Sequence, residues 1–467
     1  MPKEEVEKLM VIVGGDQSTV EKLRTLKKFM ASCPHGYSRY GWVLPLIQLW
    51  HMGWADLERV LSTHWGESAA DDLSSFKSTN IILGRKVKDV KRPDFYPAQH
   101  LVFDNLKVEI LECWRKCLGV ADLEAHFAAN NVEAEDLFTQ ARELNRRYLT
   151  MDAYERALYP DTTSADFFPI GQPWSTPAST QPIAGDQVLA NGILRRRDSM
   201  LHLEYQYGLA DGDIGRAFNI MAVWTFTFPG SGRNKYANEM LELACNFEFE
   251  YSAELQLAIK NNWLCNLSGF DGCWFPQDLL QEKNIKQLKK MSQRRDASFG
   301  GSFFQEVVSL NIRAFIGSIK SMRTMVLLQN KGESHRRAEK KSGARELTRR
   351  IDEHGLLTFR AGRTSGHVAQ DDFEVGFRSY AANDSKKIRD FVERTIQDMA
   401  DLHSAEEMLE STTEHVLEDL PLPNMVIDGE LVDGEMLETF YDEDADDNEA
   451  TGVVPQSYVD TDSGEEQ

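Results

Sequence analysis

The chain has 467 residues, of which 42% are apolar and 27% charged, enough to bury a sizeable core and to build more than one structural unit. That composition excludes a wholly disordered chain, and the absence of any apolar run near the roughly 18 residues that span a bilayer excludes a membrane helix. The formal net charge of −22 belongs to one end, because residues 395–467 hold 23 Asp or Glu and no Lys or Arg, leaving 52 basic against 51 acidic groups in residues 1–394.

The opening "MPKEEVEK" lacks the basic and hydrophobic regions of a secretory signal, so the expectation is a soluble, intracellular protein, with the nucleus open to it. The stretch "LMVIVGGDQSTVEK", residues 9–22, is a short apolar run that stops at Gly14, Gly15 and Asp16, which predicts a buried strand followed by a helix from about Val20 to Met30. No lysine stands where a phosphate loop needs one, and the Gly-x-Gly-x-x-Gly pattern of a dinucleotide fold is missing. Two readings of Asp16 remain. It shapes the turn before a helix whose Ser18 and Glu21 fit a capping box, or it sits at the carboxyl end of a strand, where α/β folds collect metal ligands.

Next, "LPLIQLWHMGWADLERVL" places Leu46, Trp50, Trp54, Leu57 and Leu61 at helical spacing, and "FDNLKVEILECWRKCL" does the same with Phe103, Leu106, Ile110, Trp114 and Cys117, as in helices with one buried face. Residues 160–185 contain five of the fifteen prolines, the composition of a connection between domains. Helices follow over 190–225 and 236–262, separated by the "PGSG" turn at 229–232, with Tyr236, Met240, Leu243 and Phe247 on one face. The expected organisation is an N-terminal strand-plus-helix region 1–159, the proline-rich connection 160–185, a helical region 186–417 and an acidic, disordered tail 418–467. Residues 283–350 carry 17 Lys or Arg against 5 acids, a basic band able to meet DNA phosphates, although solvated helix faces have the same composition. The six cysteines show no disulfide or zinc-site spacing and read as reduced and mostly buried.

Several stretches resemble, in order, one family. "VIVGGDQSTVEKLRTLKKF", "YGWVLPLIQLWHMGWADLERVLSTHWG", "GDQVLANGILRRRDSMLHLEYQYGLADGDIGR" and the block containing "NKYANEM", "NNWLCNL" and "DLLQEK" are similar to the Gly-Asp-Gln, aromatic-His, Asn-Trp-Leu and Leu-Leu-Gln-Glu motifs of a domain of unknown function widespread in mushroom-forming fungi and in some animals. Together they span roughly residues 10–330. Such proteins look transposon-associated, and the order Asp, aromatic-His, Glu is similar in layout to ribonuclease-H-like transposases. The implied fold is a predominantly helical α/β protein with a partial ribonuclease-H-like core and a large helical insertion.

In that analogy, Asp16 and Glu282 are the catalytic metal ligands for Mg or Mn, and His51 steadies the site or a scissile phosphate. A two-metal site of this kind hydrolyses or transfers phosphodiesters. Simpler roles stand beside these: His51 as a hydrogen-bonded histidine at a packing face, Glu282 in an ion pair with Lys286, and Asp278 as the cap of its own helix. Two departures weigh against a complete site. Relatives extend well upstream of the Gly-Asp-Gln segment, where a first carboxylate would reside, whereas only about eight residues precede the strand here, as in a truncated copy; and Lys283 stands where relatives have His. The expectation is therefore a catalytically incomplete, transposon-derived relative of these transposases. A non-catalytic helical protein that binds nucleic acid or protein, and an active metal-dependent nuclease, are the alternatives.

Overall fold

A computed structural model describes residues 9–33, 36–67, 72–160, 184–292, 301–325, 340–382, 385–398, 426–427 and 430–431. In chain order the elements are β1 (Val11–Gly15), α1 (Gln17–Phe29), β2 (Val43–Ile47), α2 (Leu49–His64), α3 (Phe76–Ile82), α4 (Phe95–Leu118), α5 (Leu123–Ala129) and α6 (Ala134–Tyr148). There follow α7 (Met151–Leu158), α8 (Gln187–Asp211), α9 (Ile214–Gly230), α10 (Asn234–Cys245), α11 (Ala253–Asn262), β3 (Leu264–Cys265), β4 (Phe275–Pro276) and α12 (Gln277–Ser292). Last come α13 (Ser309–Met325), α14 (Lys340–His354), α15 (Asp372–Ala381) and the two-residue strands β5 (Val426–Ile427) and β6 (Glu430–Leu431). Every sheet among the described residues has two strands, so the chain is a predominantly helical α/β protein. The proline-rich connection falls almost wholly outside the described residues, as does most of the acidic tail.

The chain clusters into two units, each discontinuous in sequence: Met1–Ile47, Glu282–Gly332 and Lys386–Val453 form one, and Gln48–Gln281, Glu333–Ser385 and Val454–Gln467 the other. In the first unit β1 and β2 pair in parallel, Val11 opposite Val43 and Gly15 opposite Ile47. Parallel strands need a crossover, and α1 supplies it. Val20 is fully buried, and the Lys27 ammonium donates to the Val43 carbonyl at 2.7 Å, tying the helix to the strand. Leu46 belongs to β2, not to the following helix as its spacing suggested. A single apolar residue in phase with a helical stripe cannot distinguish the two. β1 is half-exposed rather than buried.

In the second unit α8 is the central helix. Residues on all its sides are buried, including Leu189, Ile193, Arg195, Asp198, His202 and Tyr205, so it shows no single apolar stripe. Among the described residues, three apolar clusters lie in this unit. One joins Val108 and Cys113 of α4 to Leu144 and Tyr148 of α6 and Leu347 and Ile351 of α14; the second packs Leu57 and Leu61 of α2 against Phe76, Phe95 and Leu101; the third joins Ala153, Ala157 and Ile193. The continuous helix expected over 190–225 is two helices, because Gly212 takes a left-handed φ of 77° to end α8 and Asp213 caps α9 by accepting from the Arg216 amide at 3.2 Å. The helix expected over 236–262 is likewise broken, by a π turn at Asn246–Glu250 and a Ser252 cap. α9 and α15 cross at backbone contact: a Cβ on Gly376 would lie 1.8 Å from the Phe226 carbonyl oxygen. All six cysteines are free thiols, and Cys113 alone is buried, which corrects the expectation that most are.

Candidate functional site

In the first unit, β1 delivers Asp16 to the start of α1. Its Oδ1 accepts from the Thr19 amide at 2.7 Å, making Asp16 the N-cap. Ser18 therefore lies inside the helix, and the expected box with Glu21 is replaced by a side-chain bond from Gln17 Nε2 to Glu21 Oε2 at 2.8 Å. The turn also requires Gly15, whose added Cβ would stand 2.6 Å from Thr19 Cβ.

In the second unit, two stretches far apart in sequence meet at the start of α2. The short antiparallel pair β3–β4 leads into α12, and the Gln277 amide donates to the Trp263 carbonyl at 3.2 Å. Trp263 is 1% exposed, with the Phe247 ring nearly parallel at 5.9 Å and Lys260 over the Phe218 and Phe247 faces at 5.2 and 5.5 Å. This scaffold holds Asp278 in the first turn of α12. Its Oδ1 accepts from the Trp50 amide at 3.2 Å, and its Oδ2 accepts from the His51 amide at 3.0 Å and lies 3.0 Å from His51 Nδ1. Gln48, the formal N-cap of α2, makes no side-chain cap bond. A carboxylate from another helix therefore closes α2, at the end where the helix dipole favours negative charge.

The Tyr205 hydroxyl donates to the Leu49 carbonyl at 2.7 Å, and the Trp50 ring lies 5.0 Å from Trp54 and 5.4 Å from Phe95. His51 is thus oriented by a carboxylate beside an aromatic wall. Such an imidazole can exchange a proton or hold a ring in register. Asp278 does cap a helix, but α2 rather than its own. Glu282, four positions later in α12, opens the part of that helix that belongs to the first unit and is half-buried. Among the described residues no three His, Cys, Asp or Glu side chains are grouped to hold a metal ion. The described donors do not by themselves make the multi-carboxylate Mg or Mn site that the layout implies.

Composition and motifs did not disclose the buried charge network in the second unit. Arg59 Nε donates to Asp56 Oδ1 at 2.9 Å, and Arg59 Nη1 donates to Asp198 at 2.8 Å and to Asp372 at 3.2 Å. His64 Nε2 lies 3.0 Å from Asp198, and His202 Nδ1 lies 2.9 Å from Asp56. Burial lowers the His64 imidazole pKa, an effect partly offset by Asp198. Burial would raise the Asp198 carboxyl, but Arg197, Arg59 and His64 outweigh it and hold Asp198 well below the usual carboxylate range. A second buried centre joins Glu109 to Arg195 and Arg196. In a third, Asp186 caps α8 through the Leu189 amide at 2.9 Å and binds Arg363 at 2.7 Å. The available signal was the polar stripe Asp56, Arg59, Thr63 in an otherwise apolar helix, and "RRRD" at 195–198 between apolar residues.

A surface cleft of about 410 Å³ is lined by Ala55, Glu58, Gly232, Arg233, Asn234 and Lys235, with Arg233 and Glu58 paired at 3.0 Å. The basic band divides between the units. Its C-terminal part is the solvated side of α14, where Arg349 and Arg350 pair with Glu346 at 2.6 and 2.8 Å while Leu347 and Ile351 are buried. Residues 293–300 and 326–339 of the band lie outside the described residues. No helix among the described residues is long and apolar enough to cross a membrane.

Comparison with known proteins finds one family, described as a family of unknown function (DUF6589), matching residues 1–335, close to the span of the ordered motifs. No curated protein matches the chain, and no solved structure does.

Proposed function

We propose that this chain, which belongs to the DUF6589 family of unknown function, is a non-catalytic nucleic-acid-binding protein and a catalytically incomplete, transposon-derived relative of ribonuclease-H-like transposases. The observation that carries this reading is the use made of its candidate catalytic groups. Asp16 closes the first turn of α1, and His51 is held by a carboxylate that closes the first turn of α2. In both places the carboxylate serves a helix end. The nucleic-acid part is supported by the charge of the first unit's helices: α1 has four basic residues against Glu21 alone, Lys27 among them being turned to the Val43 carbonyl, and α13 has Arg313, Lys320 and Arg323 and no acid. Cationic helices of this kind suit the phosphate backbone without base specificity.

The test is a titration of labelled DNA duplex with the full chain at two salt concentrations, run beside a cleavage assay with Mg or Mn. If about five phosphates are neutralised, a fourfold rise in salt should weaken binding by roughly two to three orders of magnitude. Absent or salt-independent binding rejects the nucleic-acid reading. Metal-dependent cleavage that disappears in Asp16→Asn or Glu282→Gln overturns the non-catalytic reading and reinstates the nuclease.

A further inference from the structure

The segment between α1 and β2 carries Tyr37, Tyr40 and Trp42, with Arg39 among them. Hydrogen bonds to its backbone fix it. The Tyr37 carbonyl accepts from the Tyr40 amide at 3.2 Å and from Trp42 Nε1 at 3.1 Å, the Tyr40 carbonyl accepts from the Val43 amide at 3.0 Å, and the Val11 amide of β1 donates to the Trp42 carbonyl at 2.7 Å. The loop is thus hung on both strands of the first unit's parallel pair. Its rings group around Trp42: the Tyr37 ring lies nearly parallel to it, at 17° and 5.9 Å, and the Tyr40 ring lies 6.2 Å away, tilted by 38°. All three residues are half-buried, whereas Tyr148, Tyr205, Trp224 and Trp263 inside the second unit are at most 1% exposed. Two further features distinguish this loop from a small core. Tyr40 has a φ of 55° and is the one non-glycine residue with a positive φ among the described residues; glycine takes that conformation freely, and a bulky residue does not. Strain of this kind persists where it places a side chain for use. Arg39, between the tyrosines, is half-buried and has no ion-pair or hydrogen-bond partner among the described residues. The last turn of α1 reaches the same place, since Lys27 Nζ bonds the carbonyl of Val43, the residue after Trp42. Lys28 beside it is exposed and pairs with Asp398 at 2.5 Å, a surface pair that a phosphate can exchange at little cost.

We infer that Tyr37, Tyr40 and Trp42 form a stacking platform for the bases of an unpaired DNA strand, with Arg39 on its phosphates. This rests on the nucleic-acid reading above and names the form of nucleic acid bound. In a duplex the base faces are stacked on one another, so a cationic surface meets phosphates alone. In an unpaired strand each base has a face to offer, and stacking on an aromatic ring adds affinity that tolerates any sequence and does not come from counterion release. Cations alone give no reason to prefer the single strand, which has the lower charge density and the shallower salt slope. A preference for unpaired nucleotides that survives at higher salt is therefore the mark of the rings.

The experiment uses the full chain and measures, by anisotropy at two salt concentrations, binding of a labelled oligothymidine and of a labelled duplex of the same length. The expected result is about tenfold tighter binding of the single strand at the higher salt. Tyr37→Ala and Tyr40→Gly should each weaken single-strand binding about fivefold or more, with the salt slope and duplex binding unchanged. Tyr40→Gly also relieves the positive φ and should melt at or above the parent's temperature. Arg39→Gln acts on the other term and should lower the single-strand salt slope by roughly 0.7, the share of one phosphate. Single-strand binding no tighter than duplex binding, or unchanged in both tyrosine variants, overturns the platform; where the duplex is still bound with the salt dependence given above, the nucleic-acid reading stands without it. Binding of neither form ends both. Should Tyr37→Ala fail to fold, Tyr40→Gly decides alone, and a Tyr40→Gly chain that melts below the parent makes that ring a packing group and overturns the platform.

Discussion

Asp278→Ala removes three contacts at once: the acceptors for the Trp50 and His51 amides at 3.2 and 3.0 Å and the partner of His51 Nδ1 at 3.0 Å. No local group replaces them, since Gln48 makes no side-chain cap bond. Loss of a cap costs about 1 kcal/mol, and leaving a buried donor unpaired costs about 1–3 kcal/mol. The His51 side chain is 21% exposed and recovers part of that through water, so the sum is about 2–4 kcal/mol. Asp278→Asn keeps a neutral acceptor and loses the charge–dipole attraction, which puts its cost at about 1–2 kcal/mol. At the lower end of the usual conversion for large domains, about 2 °C per kcal/mol, Asp278→Ala lowers the melting temperature by about 4–8 °C. Far-UV circular dichroism with tryptophan fluorescence measures this, Trp50 and Trp54 being local reporters. The exposed substitution Glu248→Gln is the control and stays within about 0.5 kcal/mol of the parent. An Asp278→Ala melting point within about 1 °C of the parent, or an equal loss in Glu248→Gln, would refute the assignment of Asp278 as the group that closes α2.

Other substitutions probe the interior of the second unit. Glu109→Gln leaves Arg195 and Arg196 buried without their counter-charge and should cost about 3–5 kcal/mol, read as a lowered urea midpoint. Gly376→Ala places a Cβ 1.8 Å from the Phe226 carbonyl oxygen and should separate α9 from α15, lowering soluble yield and melting temperature together. In α13, Gly317 meets nothing within 4 Å, so Gly317→Ala should stabilise by about 0.5–1 kcal/mol through helix propensity. The pH dependence has a defined sign. His64 has its pKa lowered by burial, so the unfolded chain binds the proton better, and the contribution of His64 to stability, intact above about pH 6.5, is lost as pH falls below that value. Asp198, held well below the usual range, contributes stability above about pH 3.9 that is lost on further acidification. Urea unfolding at pH 7, 6 and 5 should show falling stability, and His64→Gln should flatten that part of the profile.

The parts of the fold legible in sequence are those where one physical demand acts on each residue. α4 buries one side, and Leu106, Ile110 and Trp114 mark it at helical spacing, with Leu106 1% exposed. α8 is buried on all sides and fills its interior with Arg195, Arg196, Asp198 and His202 as well as Ile193 and Leu194. Apolar periodicity therefore has nothing to report there. The contact between His51 and Asp278 spans 227 positions, and no local pattern in either segment specifies the other.

Asp16 was ambiguous for a different reason. A helix start and an oxygen-ligand site after a strand ask for the same residue at the same place, a carboxylate beside unpaired amides. In this chain Asp16 caps α1, Asp186 caps α8 and Asp213 caps α9, each following Gly or lying within one residue of it, while Asp278 caps α2 from outside. Gly-Asp recurs here as a device for starting helices. Its recurrence shifts the burden of proof: a second carboxylate brought to the same oxygen-rich point distinguishes a ligand from a cap, and the motif alone does not.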